Sequence, residues 1–331
     1  MMAIQPRSGA VRTPRLLACD IDGTLLDEAG LLRPSVRSAI IAGKAAGIQV
    51  VLSTGRSPWA VTDIARQLGL RGPQIVMNGG AFVSPVTCEV GWARRLDREL
   101  VIDGLAFAGE LGSSPLLGFL DGHVRQRIRP GRAGAEAADG TPDFALGPRL
   151  RHVESLESQA GDGPIRVYIP TSPNEHTRAV AEAVDWFGGR ASVVYSDQFG
   201  FEIMAPGTNK GEALRRVAGS LRLGREHVAA MGDGPNDREM LAFAGHSAAL
   251  LPVDGSAVVP GSILAEATRV VSSSAYDGAL EALRFFFPDL GFEPVRPRPM
   301  RPGGIPLVQA GTARPPGWDD DPEPDLGLTA A

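Results

Sequence analysis

Leu16-Leu17-Ala18-Cys19-Asp20-Ile21-Asp22-Gly23-Thr24-Leu25-Leu26-Asp27 sets the frame for the whole chain. The apolar run Leu16 to Cys19 predicts a buried strand, bounded upstream by Thr13-Pro14-Arg15. It stops at two carboxylates spaced i, i+2 and followed by Gly23-Thr24. In a strand that spacing puts both acids on one side. A turn beginning at Gly23 lets both crowd one crevice at the strand's carboxyl end, where open α/β sheets bind ligands. Two acids so close repel unless a cation sits between them or one holds a proton. The arrangement therefore asks for a hard divalent cation with oxygen ligands, Mg2+. Taken alone, the spacing favours a plainer reading: an Asx-type turn with Asp20 and Asp22 solvated and Gly23 present for its backbone freedom.

Outward from this stretch the pattern is an alternation of strands and helices. Asp27-Glu28-Ala29-Gly30 reads as a turn, and Asp27 as a turn residue. Pro34 opens a helix with Val36, Ile40, Ile41 and Ala45 at helical spacing, and Gly47 closes it. Ile48 to Leu52 is a second strand running into Ser53-Thr54-Gly55-Arg56. Helix Pro58 to Leu68 and strand Gln74 to Met77 repeat the unit, ending at Asn78-Gly79-Gly80. Such βαβ units favour a parallel sheet.

From Ser84 to Ala205 the rhythm changes to short strand candidates, with one well-marked helix, Asn174 to Phe187, whose Val180, Ala183, Val184 and Phe187 share a face. This predicts an α+β insertion. The alternation resumes at Gly207 with a helix opened by Lys210-Gly211, then strand His227 to Met231 running into Gly232-Asp233-Gly234-Pro235-Asn236-Asp237. Helix Arg238 to Ala244, strand Ser247 to Leu251, strand Arg269 to Val271 and helix Gly278 to Phe287 follow. The expected fold class is thus α/β, a Rossmann-like parallel-sheet core over 15–83 and 206–287 with an α+β cap inserted at 84–205. A disordered leader is expected over 1–14, and a disordered Pro/Gly-rich tail over 288–331.

With 331 residues, two domains plus tails are expected. Lys and Arg total 33 against 38 Asp and Glu, with no dense basic stripe, so nucleic-acid binding is not suggested. Cys19 and Cys88 are too few for a disulfide framework, and a thiol inside the first strand suits a reducing cytosol. No apolar stretch reaches membrane-span length, and the amino terminus has no secretory h-region, so a cytoplasmic protein with no membrane partner is expected.

Three strand ends carry polar clusters: Asp20 and Asp22, Ser53 to Arg56, and Gly232-Asp233 with Asn236-Asp237. In a parallel sheet all three project from one edge. Lys210 stands at a helix start. Together they supply acids, a hydroxyl, an ammonium and an amide, a parts list for phosphoryl transfer. Asp20 is the natural nucleophile, forming an aspartyl-phosphate. Asp22 protonates the leaving alkoxide and then activates water, and its main-chain carbonyl could ligate the metal. Asp233 is a further metal ligand, since Gly232 and Gly234 let the backbone approach closely. Thr54 and the Gly55 backbone would hold phosphoryl oxygens, and Lys210 would add a point charge that restrains Asp20. Asn236 and Asp237 compete for a helix-cap role; Asn236 is taken as a phosphate or Lys210 contact, and Asp237 as orienting the metal's ligand set. Arg56 either reaches the substrate or covers a helix. The five histidines show no ligand spacing.

Asp20-x-Asp22-Gly-Thr, Thr54-Gly55-Arg56, Lys210-Gly211 and Gly232-Asp233-x-x-Asn236-Asp237 resemble, in order, the four motifs of the haloacid dehalogenase superfamily. Thr-Gly-Arg followed by Asn78-Gly79-Gly80, the long insertion before Lys210, and Asn236-Asp237-x-x-Met240-Leu241 resemble its Cof-like branch, with a class IIB cap. The resemblance implies a Mg2+-dependent phosphatase of small phosphorylated metabolites, often sugar phosphates, with the cap closing over the leaving group. An aspartate at position 22 implies hydrolysis rather than a stable phosphoenzyme. The chain departs from the branch at Leu250 to Gly255, where a Met-Gly-Asn-Ala-like turn is usual, and across Ser256 to Glu266. Gly131 to Gly163 carries no readable pattern. A phosphomutase or phosphotransferase, and a non-catalytic metabolite-binding protein, are the competing readings.

Overall fold

The computed structural model describes residues 13–27, 29–127, 149–197, 199–252 and 263–292. Most of the expected leader, the first half of the unpatterned cap segment, the rim at 253–262 and the tail from 293 lie outside these residues. The first part of the core comprises β1 (Leu16–Cys19), α1 (Pro34–Ala45), β2 (Gln49–Leu52), α2 (Pro58–Gln67), β3 (Gln74–Val76), β4 (Ala81–Val83) and β5 (Val90–Ala93). The inserted cap follows with α3 (Arg98–Glu110), β6 (Leu116–Gly118), β7 (His123–Gln126), β8 (Leu150–Val153), β9 (Arg166–Pro170), α4 (His176–Phe187), β10 (Ser192–Asp197) and β11 (Gly200–Met204). The chain then returns to the core as α5 (Lys210–Ser220), β12 (Val228–Gly232), α6 (Arg238–Phe243), β13 (His246–Leu250), β14 (Arg269–Val271) and α7 (Gly278–Phe286).

The core sheet is parallel, in the order β14-β13-β12-β1-β2. Within it, β1 is apolar at every position because both faces are covered. Leu17 and Cys19 join a cluster with Val36 and Ile40 of α1 and Leu280 and Leu283 of α7. Leu16 and Ala18 join one with Leu214 and Val217 of α5 and Met240 and Leu241 of α6. Period-2 alternation along β1 thus divides the two layers. On α1 the buried face runs through Val36, Ala39, Ile40 and Gly43, whereas Ile41, expected inside, is exposed.

The structure corrects the expected edge of this sheet. β3 stops at Val76 and joins β2 through one parallel bridge, Ser53 to Ile75. Met77 and Asn78 then adopt positive φ angles of 49° and 51°, turning the chain back into β4 and β5 as an antiparallel ribbon. The boundary expected at residue 84 therefore falls inside a hairpin, because Ser84 N donates to Glu89 O and folds β5 onto β4. Cys88, exposed, lies in that hairpin, whereas Cys19 is buried in β1. The expected tail is corrected at its start as well: Leu290 and Phe292 pack against the core.

The cap is a six-stranded sheet in the order β10-β11-β9-β6-β7-β8, antiparallel except for β7 with β8. One face packs Leu117, Val124, Val167, Ile169, Phe201 and Ile203 against α3 and α4. On α4 the buried positions are His176, Ala179, Ala183 and Phe187, while Val184 faces solvent. α3 was not anticipated, although Asp97 caps it by accepting from Leu100 N at 2.8 Å and Leu100, Val101, Gly104, Phe107 and Ala108 recur at helical spacing.

Candidate active site

In-register pairing of Cys19 with Met231 and with Leu52 sets the ends of β1, β12 and β2 side by side. Asp20, Asp233 and the Ser53–Thr54 pair therefore leave the sheet at one edge. The backbone turns at Gly23, whose φ is +75°, and a Cβ there would sit 2.2 Å from Asp233 Oδ2. Only glycine fits the close approach. Next to it, Thr24 Oγ1 donates to Asp233 Oδ1 at 2.7 Å. Gly23→Ala is accordingly expected to displace Asp233 and lower divalent-cation affinity about 10- to 100-fold, a loss typical for residues that orient metal ligands. A cation titration of melting temperature measures this, and an unchanged midpoint would count against the assignment.

Lys210 opens α5 at the first helical position, behind the cap Asn209, whose Oδ1 accepts from Glu212 N at 2.7 Å. Its ammonium lies between two carboxylates, donating to Asp20 Oδ1 at 2.6 Å and to Asp237 Oδ1 at 2.8 Å, with 1% of the side chain exposed. α5 reaches that depth because Gly211 packs on α6: a Cβ there would lie 2.4 Å from the Glu239 backbone. Asp237 Oδ2 accepts from Asp233 N at 3.1 Å and Gly234 N at 3.0 Å, tying the turn after β12 to the lysine. Gly232 is needed here too, since a Cβ would overlap the Asp237 carboxyl group.

Three acids thus face one ammonium. Burial raises the Asp20 pKa well above the usual carboxylate range, against the lowering influence of Lys210, and Asp237 and Asp233 raise it further. Burial, then Asp237, pushes Asp233 up to about 7, against the Thr24 hydrogen bond and Lys210, which lower it. Burial works against the charge on Lys210, but Asp20 and Asp237 outweigh it and hold the ammonium above its ordinary pKa. The cluster therefore calls for a proton or a cation. One ligand oxygen from each of Asp20, Asp233 and Asp237 falls within 4.8 Å of the others, a hard-oxygen donor set that fits a divalent cation. Both Asp237 oxygens already accept hydrogen bonds. On Asp20 and Asp233 the hydrogen bonds from Lys210 and Thr24 fall on Oδ1.

Asp22 departs from expectation. The chain leaves β1 in a helical turn, with Leu25 N and Leu26 N both donating to Ile21 O. Ile21 is buried and Asp22 is thrown outward, its side chain 59% exposed. Asp22 therefore stands outside the cluster of Asp20, Asp233 and Asp237, although it and Asp20 both raise the Arg56 pKa. Arg56 grips the Asp22 carboxylate with both ends of its fork, Nε to Oδ2 at 2.8 Å and a terminal nitrogen to Oδ1 at 2.5 Å. Neither role expected for Arg56 included this pair.

Thr54 is buried, and its Oγ1 accepts from Arg56 N at 3.1 Å, leaving the hydroxyl proton to donate elsewhere. Gly55 presents its carbonyl to Arg166 at 3.0 Å. Asn236, expected at phosphate or Lys210, donates through Nδ2 to Asn78 Oδ1 at 3.0 Å. Asp27 is the turn residue expected, its Oδ1 accepting from Ala29 N and Leu31 N. Sequence reasoning missed Arg166 and Glu202, two charged residues inside buried apolar strands. That incongruity was the available signal.

A family model described as haloacid dehalogenase-like hydrolase matches residues 17–283. A putative phosphatase of Haemophilus influenzae is 25% identical over 242 residues, covering 72% of this chain and 86% of its own. A crystal structure of a haloacid dehalogenase-like hydrolase from Bacteroides thetaiotaomicron superposes with a TM-score of 0.66 at 22% identity, over 83% of this chain and all of that one. The structure of a sugar phosphatase of subclass IIB of the same superfamily gives a TM-score of 0.67 at 21% identity, over 82% and 98% of the respective chains.

Proposed function

The chain belongs to the haloacid dehalogenase-like hydrolases, in the Cof-like branch, and on that premise we propose that it is a Mg2+-dependent phosphatase acting on small phosphorylated metabolites through an aspartyl-phosphate on Asp20. Hydrolysis of phosphate esters is the activity that this family and its phosphatase relatives support. The observation that carries the finer reading is the Lys210 ammonium, bonded to Asp20 and Asp237 at the carboxyl edge of the sheet with Asp233 beside them.

In this reading a carboxylate oxygen of Asp20 attacks phosphorus as the bond to the leaving oxygen breaks. Lys210 keeps Asp20 aimed and offsets charge on the phosphoryl group. The Thr54 hydroxyl donates to a phosphoryl oxygen. Asp22 must part from the Arg56 fork and take up a proton before it can act; it then gives that proton to the leaving alkoxide and later takes one from the water that attacks phosphorus, restoring Asp20 and releasing phosphate. Asp20 and Asp233 hold the cation; when bound, it neutralises the repulsion between carboxylate and phosphate dianion. The cap encloses the leaving group and selects it.

The decisive experiment measures phosphate release from a small aryl phosphate, then from panels of sugar phosphates, nucleotides and phosphorylated cofactors. Turnover with Mg2+ and none with excess chelator is expected. A folded protein inert on every ester would sink the reading, and transfer to an added sugar hydroxyl without free phosphate would replace it. The pH dependence has a definite sign. Metal-free, the folded state keeps a proton on Asp233 until pH passes about 7, whereas the unfolded carboxyl releases it near 3.8. Metal-free stability from this group therefore falls as pH rises between those values, and the cation must displace the proton to bind. The rise in melting temperature caused by Mg2+ should be larger at pH 8 than at pH 5.

A further inference from the structure

We propose that Glu202 and Arg166, both in the cap, are positioning residues that set the core's phosphate-binding loops in place as the cap seats. The inference rests on the phosphatase reading for its catalytic consequence, although its geometry is independent of it. Glu202 pairs with Tyr168 and Arg166 with Met204 across β9 and β11, which puts both on the cap face opposite α3 and α4. They are 1% and 8% exposed and form a buried ion pair.

Each partner also reaches across the seam into the core. Arg166 donates to the carbonyl of Gly55 at 3.0 Å, in the loop that follows β2, with Ser57 Oγ at 3.4 Å. Glu202 Oε2 accepts from Asn78 Nδ2 at 3.0 Å, and Asn78 Oδ1 in turn accepts from Asn236 Nδ2 at 3.0 Å, in the turn that follows β12. Asn78 also abuts the first of these loops: a Cβ on Gly55 would lie 3.1 Å from its Nδ2. One cap ion pair therefore grips the Thr54–Gly55 loop directly and the Asn236 turn through Asn78.

Adhesion alone does not call for charges here. Ile165 and Met204 of the cap already share an apolar cluster with Met77 and Ala81 of the core, and Gly80 is in close contact with both cap residues. A buried ion pair is a poor adhesive, because removing two charges from water offsets most of their attraction. Its advantage is direction: a fork and a carboxylate accept few geometries. A cap displaced from the core must give up both cross-seam hydrogen bonds, and the two loops then lose their common brace.

The test compares Glu202→Gln, Arg166→Gln and the double variant, following kcat and KM on a small aryl phosphate with Mg2+ together with melting temperature. Each single variant should lose about 10²-fold in kcat, the cost of a misplacement near 1 Å, and should melt lower because one charge is left buried and unpaired. The double variant should recover melting temperature, having no unpaired charge, yet keep the low kcat. Recovery of kcat along with stability would show the pair to be merely structural and overturn the proposal, as would wild-type kcat in the single variants. Amide hydrogen exchange separates this failure from failure of the phosphatase reading. In Glu202→Gln, the amides of Asn78 and Met77, which donate to Thr54 O and Arg56 O, should exchange faster while those of α1 do not change. Unchanged protection at both would refute the brace even in a protein with no phosphatase activity.

Discussion

Asp20→Asn is expected to lower turnover by on the order of 10⁴-fold or more, the scale seen when a nucleophile is removed, while melting at or above the wild-type temperature in the absence of metal. The two effects have one origin. Asp20 is buried among Asp233, Asp237 and a single ammonium, and its pKa stands well above the usual carboxylate range. At neutral pH its ionised form is an expense to the fold, since the native state would rather keep a proton that the unfolded chain has released. Asparagine keeps the shape, carries no charge and leaves Lys210 bonded to Asp237. It cannot form an acyl phosphate. Function and stability should therefore move in opposite directions, as is usual where an active site stores electrostatic repulsion. Phosphate release and thermal denaturation of the same preparation, each with and without Mg2+, measure both. Turnover within tenfold of wild type would refute the nucleophile assignment.

Lys210→Met should have the largest effect on stability. Methionine fills nearly the same volume but leaves Asp20 and Asp237 buried without their shared cation. Removing one partner of a buried ion pair costs about 3–5 kcal/mol. For a protein of this size that corresponds to a fall in melting temperature on the order of 10 °C. Mg2+ should return part of the loss by supplying positive charge to the same acids, and Asp20→Asn in the Lys210→Met background should return part as well. A single variant melting within about 2 °C of wild type would show that the lysine is not what holds the acids together.

What was legible in the sequence depended on whether a residue's role is written into its neighbours. The strand Leu16 to Cys19 and the positions of Asp20, Lys210 and Asp233 at element ends could be read because apolar runs, a helix start and glycines frame them locally. The direction of the Asp22 side chain could not, because it depends on whether the chain extends or coils after β1, and Ile21 decides that by burying itself. The partner of Asn236 was hidden for another reason: Asn78 lies 158 positions away, and only the turn through two positive-φ residues aims it there. Arg166 and Glu202 were passed over because a strand of buried apolar residues reads the same with one charge in it. β5 escaped because its core partner, β4, lies on the other side of the boundary expected at Ser84.

The position of β1 between β12 and β2 has a consequence for how the protein is made. The strand that ends beside Asp20 leaves the ribosome shortly before β2, which covers one of its edges. Its other edge waits for β12, which begins at Val228. At about 5–20 residues per second that edge stays open for roughly 10–40 s. Among the described residues the strands of the inserted cap lie between Leu116 and Met204, so they emerge while the sheet that ends beside Asp20 is still half built. An unpaired apolar edge is a template for association with other chains. During synthesis, an open apolar edge therefore lies beside the residue proposed as the nucleophile.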